Sequence, residues 1–133
     1  MTNEARVRIT RSNDIVSARQ EGRTLAAQLG FSASELTLIA TAISEVARNI
    51  IEYAKEGEII LQPIHTNPKR GILIVAKDEG PGIIDVERAM QDGYSSGKGL
   101  GLGLPGAKRL MDEFEIASEV GKGTTVKMKK WIR

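Results

Sequence analysis

Three separated groups of residues in this chain of 133 are of types that can hold and work on an anion. Glu45 and Asn49, a carboxylate and a carboxamide, stand four residues apart, one turn of a helix. Asp78-Glu79-Gly80-Pro81-Gly82 places an acid before a tight glycine-proline-glycine turn, directly after the apolar run Ile72-Leu73-Ile74-Val75-Ala76. The third group is Gly97-Lys98-Gly99-Leu100-Gly101-Leu102-Gly103-Leu104-Pro105-Gly106. Residues 78 to 106 contain eight of the fourteen glycines, so backbone freedom is concentrated where the acid sits. A strand ending in an acid, followed by such a loop, brings backbone N–H groups close to a bound anion. The chemistry this points to is nucleotide binding.

Spacing separates the phosphate-binding motifs that could use these glycines. Gly101-Leu102-Gly103-Leu104-Pro105-Gly106 matches the dinucleotide pattern GxGxxG, but that pattern follows a strand at once, and here glycine, serine and lysine precede it. A Walker loop needs GxxxxGK followed by Ser or Thr, and the protein-kinase set needs HRD and DFG; none of these is present. A purely structural glycine-rich loop stays open at this point.

The elements that must position these residues follow from periodicity. Residues 5 to 11 alternate with Val7 and Ile9 on one face, which predicts a strand near a sheet edge. Ser12 and Asn13 can cap a helix carrying Ile15, Val16, Ala18, Leu25, Ala26 and Leu29, stopped by Gly30. Ser32 with Glu35 has the form of a capping box and opens a longer helix over 33–54, with Leu36, Ile39, Ile43, Val46 and Ile50 as its inner stripe. Glu45, Asn49 and Tyr53 form a row beside that stripe, at the seam between helix and sheet. On an arbitrary helix such a row is merely solvated. Asparagine, however, is a poor helix former that prefers caps and turns, so Asn49 one turn after Glu45 calls for a reason. Arg48 and Glu52 point further outward as surface charges.

Residues 58–64 read as a strand that Pro63 marks as peripheral or ending. The polar connection 65–71 contains the only histidine, His65, read as a loop residue, and 72–77 forms the next strand of a hairpin. A short helix over 83–91 with Asp85 near its start, a helix from Pro105 through 112 with Leu110 and Met111 inward, a strand over 114–120, a turn at Gly121-Lys122-Gly123 and a last strand over 124–132 complete the chain. The basic ending is read as a solvated sheet edge, with a partner surface as the other reading.

Composition narrows the function. The length suits one domain, residues 1–133. With 19 Lys and Arg against 17 Asp and Glu the net charge is only +2, and 4% aromatic residues make a poor base-stacking platform, so no nucleic acid is expected. The absence of cysteine excludes disulfides and thiolate metal sites. No apolar run approaches the ~20 residues of a membrane helix and no signal-like core opens the chain, so a cytoplasmic protein is expected.

Taken in order, four motifs resemble those of the Bergerat-fold ATP-binding group, which includes histidine-kinase catalytic domains, gyrase, the Hsp90 chaperones and the small bacterial anti-sigma-factor and stressosome serine kinases. Ser44-Glu45-Val46-Ala47-Arg48-Asn49 resembles the group's N box, Asp78 to Gly82 its first glycine box, Gly99 to Leu104 its second, and Gly121-Lys122-Gly123-Thr124 its last motif. Tyr53 stands where related anti-sigma kinases often carry His. The resemblance implies an α+β fold, a two-layer sandwich with a mixed, mostly antiparallel sheet covered on one face by helices.

It also implies roles. Asp78 would accept a hydrogen bond from the adenine amino group, Gly80 and Gly82 would let the base approach, and Thr124 would place a hydroxyl nearby. Asn49 would ligate Mg²⁺ and Glu45 would be the general base. A lid of Lys98, Gly99, Leu100, Gly101, Leu102 and Gly103 would surround the phosphates of ATP. The substrate would be a Ser or Thr of a STAS-domain antagonist or scaffold protein of the stressosome, and the released kinase would bind a PP2C-type phosphatase; a homodimer is compatible with the resemblance. Two other readings remain: a partner-binding switch or anti-sigma factor with little turnover, and a clamp driven by ATP hydrolysis.

Overall fold

The computed structural model describes residues 4–83, 86–90 and 103–133. Strand β1 (Ala5–Ile9) leads into helices α1 (Ser12–Leu29) and α2 (Ala33–Tyr53), then the hairpin β2 (Gly57–Thr66) and β3 (Lys69–Asp78). The single turn α3 (Val86–Ala89), helix α4 (Gly103–Leu110) and a second hairpin, β4 (Glu113–Glu119) with β5 (Gly123–Trp131), follow. The five strands lie in the order β1-β2-β3-β5-β4, and all four pairings are antiparallel, the antiparallel limit of the mixed sheet expected.

Alternation along each strand sends one row of side chains toward the helices. Ile9, Ile59, Leu61, Ile72, Ile74, Ala76, Val126 and Met128 are buried, and they form one cluster with Ala18, Leu25 and Ala26 of α1, Ile39, Ile43, Val46 and Ile50 of α2, and Leu104 and Ala107 of α4. Each large aliphatic side chain so buried stabilises the fold by about 1.5–3 kcal/mol. Gly22 sets the spacing of the helices, since a Cβ there would lie 2.1 Å from Ile43 Cδ1.

Local signals account for the helix ends. The Ser32 hydroxyl accepts from the Glu35 N–H at 3.3 Å, and the Glu35 carboxylate accepts from the Ser32 N–H at 3.1 Å, the reciprocal cap expected. Helix α1 starts at Ser12 but is capped from inside. The Asp14 carboxylate accepts from the N–H groups of Thr10 at 2.8 Å and Arg11 at 3.2 Å, which displaces Ser12 and Asn13 from that role. Val16 is 41% exposed, so it leaves the inner stripe. Gly30, at φ 104°, ends the helix as its type suggests.

Three expectations change. Pro63 lies inside β2, so it does not end the strand, and it is peripheral as the other half of that reading has it: β1 reaches only as far as Leu61, so the edge where the missing N–H would matter is open. His65 is an exposed residue of β2 paired with Arg70, because the hairpin closes through Asn67 and Pro68. The basic ending is no sheet edge either, for β5 runs between β3 and β4, and Lys130 is buried with its Nζ donating to the Leu110 carbonyl at 3.1 Å. Leu110 is half-buried and Met111 buried, while Asp85 lies outside the described residues.

Asp112 ties this end together. Its carboxylate accepts from the Trp131 N–H at 2.8 Å, pairs with Arg133, and lies 3.9 Å from Lys130 Nζ. Burial alone would raise this carboxyl, but the Trp131 N–H and the two cations outweigh it and hold Asp112 below the usual carboxylate range. A depressed folded value means that the stabilisation is complete above the unfolded value near 3.8 and is lost as pH falls through the folded one. Asp112→Asn is therefore expected to lower stability at pH 7 by about 1–2 kcal/mol. In urea titrations the gap from the parent chain should close below about pH 4.

Candidate functional site

One rung crosses the whole sheet at its α2 end: Ile9, Gly57, Asp78, Thr124 and Ser118 are successive partners in β1, β2, β3, β5 and β4. All five point toward the helix layer, since each continues its strand's inward alternation. Apolar burial continues in this rung at Ile9 but stops one residue short in β3, β5 and β4, where a carboxylate and two hydroxyls take its place.

Asp78 is 9% exposed and rigidly held. Its Oδ1 accepts from the N–H of Gly80 at 2.9 Å and of Thr124 at 3.2 Å. Thr124 Oγ1 lies 2.8 Å from Ser118 Oγ, which in turn accepts from the Ile83 N–H at 2.7 Å. Ser118 was not singled out from the sequence, although it stands in phase with Phe114 and Ile116 in a strand whose inward residues are otherwise apolar.

The turn after Asp78 and the turn between β4 and β5 interlock. Gly121 donates its N–H to the Pro81 carbonyl at 2.8 Å. A Cβ on Gly82 would stand 2.4 Å from the Glu119 carbonyl oxygen, and one on Gly123 would stand 2.1 Å from that of Asp78. Both glycines have positive φ, 80° and 119°. Gly80 is needed for a different approach, because its Cβ would lie 2.5 Å from Ala54 Cβ just beyond α2. Gly123→Ala is expected to destabilise the chain by about 1–3 kcal/mol from backbone strain alone, and to loosen the Thr124 N–H from Asp78. Thermal unfolding measures the first effect, and hydrogen exchange at the Thr124 amide the second.

Helix α2 passes over this rung. Gly57 lets it do so, for a Cβ there would lie 2.9 Å from Ile50 Cγ2 and 3.0 Å from Asp78 Cβ. Asn49, immediately before Ile50, is half-buried, and Tyr53 is 39% exposed at the helix end. Glu45 is buried, with a side chain only 5% exposed. Its Oε1 accepts from an Arg48 guanidinium N–H at 2.7 Å, while its Oε2 is buried with no hydrogen-bond partner. Arg48 and Glu52 are half-buried, not outward surface charges. The sequence hid this because Arg48 sits three residues after Glu45, a spacing equally common in exposed helix pairs.

A cavity of about 430 Å³ opens at the strand ends, lined by Ala54, Gly57, Asp78 and Glu79 with Arg8, Glu56, Glu58 and Lys77; Asn49 is not among its walls. Gly103 is the first residue of α4. Lys98, Gly99, Leu100, Gly101 and Leu102, the remainder of the expected lid, lie outside the described residues. Among the described residues no group of three or more His, Cys, Asp or Glu could hold a metal by itself. A cation at Asn49 would thus take most of its ligands from phosphate and water, as Mg²⁺ commonly does. No helix among the described residues is long and apolar enough to cross a membrane.

The chain is similar to several known proteins. The serine/threonine-protein kinase RsbT of Bacillus subtilis (strain 168) is 49% identical over 133 residues, spanning 100% of both chains. An anti-sigma F factor of Caldanaerobacter subterraneus subsp. tengcongensis is 37% identical over 128 residues, covering 93% of this chain and 90% of its own. Among solved structures, the mycobacterial sensor histidine kinase MprB superposes with a TM-score of 0.56 at 20% identity, covering 98% of each chain, a likeness of fold. The histidine kinase-like ATPase domain profile matches residues 10–130. With that match over nearly its whole length, the chain belongs to the histidine kinase-like ATPase family.

Proposed function

We propose that this protein is a serine/threonine-protein kinase of a bacterial partner-switching pathway, using ATP with Mg²⁺ in the cytoplasm as one catalytic domain spanning residues 1–133. Asp78 receives the adenine amino group. Its Oδ1 is already committed to two backbone N–H groups, so base recognition falls to the other carboxylate oxygen. Gly80 and Gly82 bring the backbone near the base, and the Thr124 hydroxyl lies in the same rung. Asn49 offers its carboxamide oxygen to Mg²⁺, which when bound neutralises charge on the phosphates. Lys98 and Gly99 to Gly103 enclose the phosphates, and α4 presents its N-terminal end to them.

The single observation that carries a kinase reading is the buried Glu45 Oε2 without a hydrogen-bond partner. Leaving a carboxylate oxygen buried and unpaired costs free energy, and an incoming seryl or threonyl hydroxyl supplies the missing donor. A nucleotide-binding module needs no such group. Phosphoryl transfer is mainly positioning and charge stabilisation, so one base beside the metal position and a phosphate lid are sufficient parts.

The acceptor we infer is a Ser or Thr of a STAS-domain antagonist or scaffold protein of a stressosome, with a PP2C-type phosphatase bound by the released kinase; a homodimer fits the same scheme. Full-length similarity to RsbT and the anti-sigma F factor relatives support partner switching in general. Those anti-sigma relatives also favour a second reading, a nucleotide-dependent binding switch with little turnover. Incubation with γ-labelled ATP and candidate STAS domains, with and without magnesium, separates the two. Magnesium-dependent label on a Ser or Thr supports the kinase, whereas a stable complex without label supports the switch.

A further inference from the structure

The kinase reading leaves Arg48 without a role. An ion pair at i,i+3 on a helix is ordinarily a solvated contact worth little. This one differs because the carboxylate is almost wholly buried and the guanidinium only half so, with Arg48 Nη1 2.7 Å from Glu45 Oε1. A buried carboxylate is costly unless it is paired, and among the described residues Arg48 is the group that answers it. The bond reaches one oxygen, and the other is left unpaired.

We propose that Arg48 is a positioning residue that divides the Glu45 carboxylate into a fixed oxygen and a working one. The guanidinium ties Oε1, which restricts rotation of the carboxylate and leaves Oε2 as the proton acceptor. In the transfer, the acceptor's O–H bond breaks and its proton bonds to Glu45 Oε2. The hydroxyl oxygen's freed electron pair forms the bond to the γ-phosphorus, and the bond from that phosphorus to ADP breaks, with ADP keeping its electron pair. Arg48 touches neither substrate; it acts through Glu45. This proposal rests on the assignment of Glu45 as the base.

The test compares Arg48→Ala and Arg48→Lys with the parent full-length chain. Each is assayed for steady-state transfer from labelled ATP to a STAS-domain acceptor, Mg·ATP calorimetry and urea unfolding. Arg48→Ala is expected to lower kcat by on the order of 10- to 100-fold, since a base misplaced by an ångström loses that much. KM for ATP should stay within about threefold, because ground-state binding is untouched. Arg48→Lys, which keeps a donor, should recover part of the loss, and added guanidinium ion at non-denaturing concentration should raise the rate of Arg48→Ala but not of the parent. Parent-level kcat in both variants overturns the proposal, as does a faster Arg48→Ala, which would make the pair a restraint. Equal losses in ATP affinity and stability without guanidinium rescue also overturn it, in favour of a packing role. A parent chain that transfers no phosphate overturns the kinase reading and this proposal together, an outcome distinct from all the others.

Discussion

Asp78→Asn is expected to weaken Mg·ATP binding by on the order of 100-fold while the chain still folds, because a lost hydrogen bond to a charged group is worth about 1.5–3 kcal/mol. An asparagine can keep its carbonyl oxygen where Oδ1 now accepts from the Gly80 and Thr124 N–H groups, so the rung and both turns survive. Its other atom becomes a donor that faces the adenine amino group with a second donor. Calorimetric titration gives the affinity, and urea unfolding of the nucleotide-free chain gives the stability. Equal ATP affinity in parent and variant would remove Asp78 from adenine recognition.

Glu45→Ala should do the reverse, keeping Mg·ATP affinity while transfer to a protein acceptor falls by about 10²- to 10⁴-fold, the usual range for a lost general base. The stability change should be small, because the substitution removes a buried charge along with its one partner bond, and half-buried Arg48 can turn to water. Single-turnover transfer from pre-bound ATP measures chemistry apart from binding. Undiminished transfer would remove the base assignment and leave the binding-switch reading standing.

Much of the fold was legible because a few residue types fix local geometry. The Ser32 and Glu35 cap, the Gly30 stop and the strand through residues 72–77 appear where the sequence placed them. Failures came where the decisive partner was distant in sequence. Nothing near Pro63 says that β1 is only five residues long, and nothing near Lys130 says that β5 is an inner strand. The site shows the same division. Glu45, Asn49 and Asp78 were visible by type and spacing, whereas Ser118 becomes meaningful only through cross-strand register with Thr124. The glycines at 80 and 82 were read as serving a ligand, yet each, like Gly123 in its turn, first permits one chain segment to approach another. Arg48 was read as a surface charge because burial, not sequence spacing, distinguishes its bond to Glu45 from a surface pair.

The mutual fit of residues 78–82 with 119–123 has a practical corollary for anyone wishing to alter base preference. Main-chain atoms, not replaceable side chains, form that seam: the Glu119 and Asp78 carbonyls stand where a methyl group on Gly82 or Gly123 would collide, and the Gly121 N–H bonds the Pro81 carbonyl across it. Replacing Gly82 or Gly123 would therefore cost stability before it changed selectivity, which leaves the hydroxyls of Ser118 and Thr124 as the side chains to vary first.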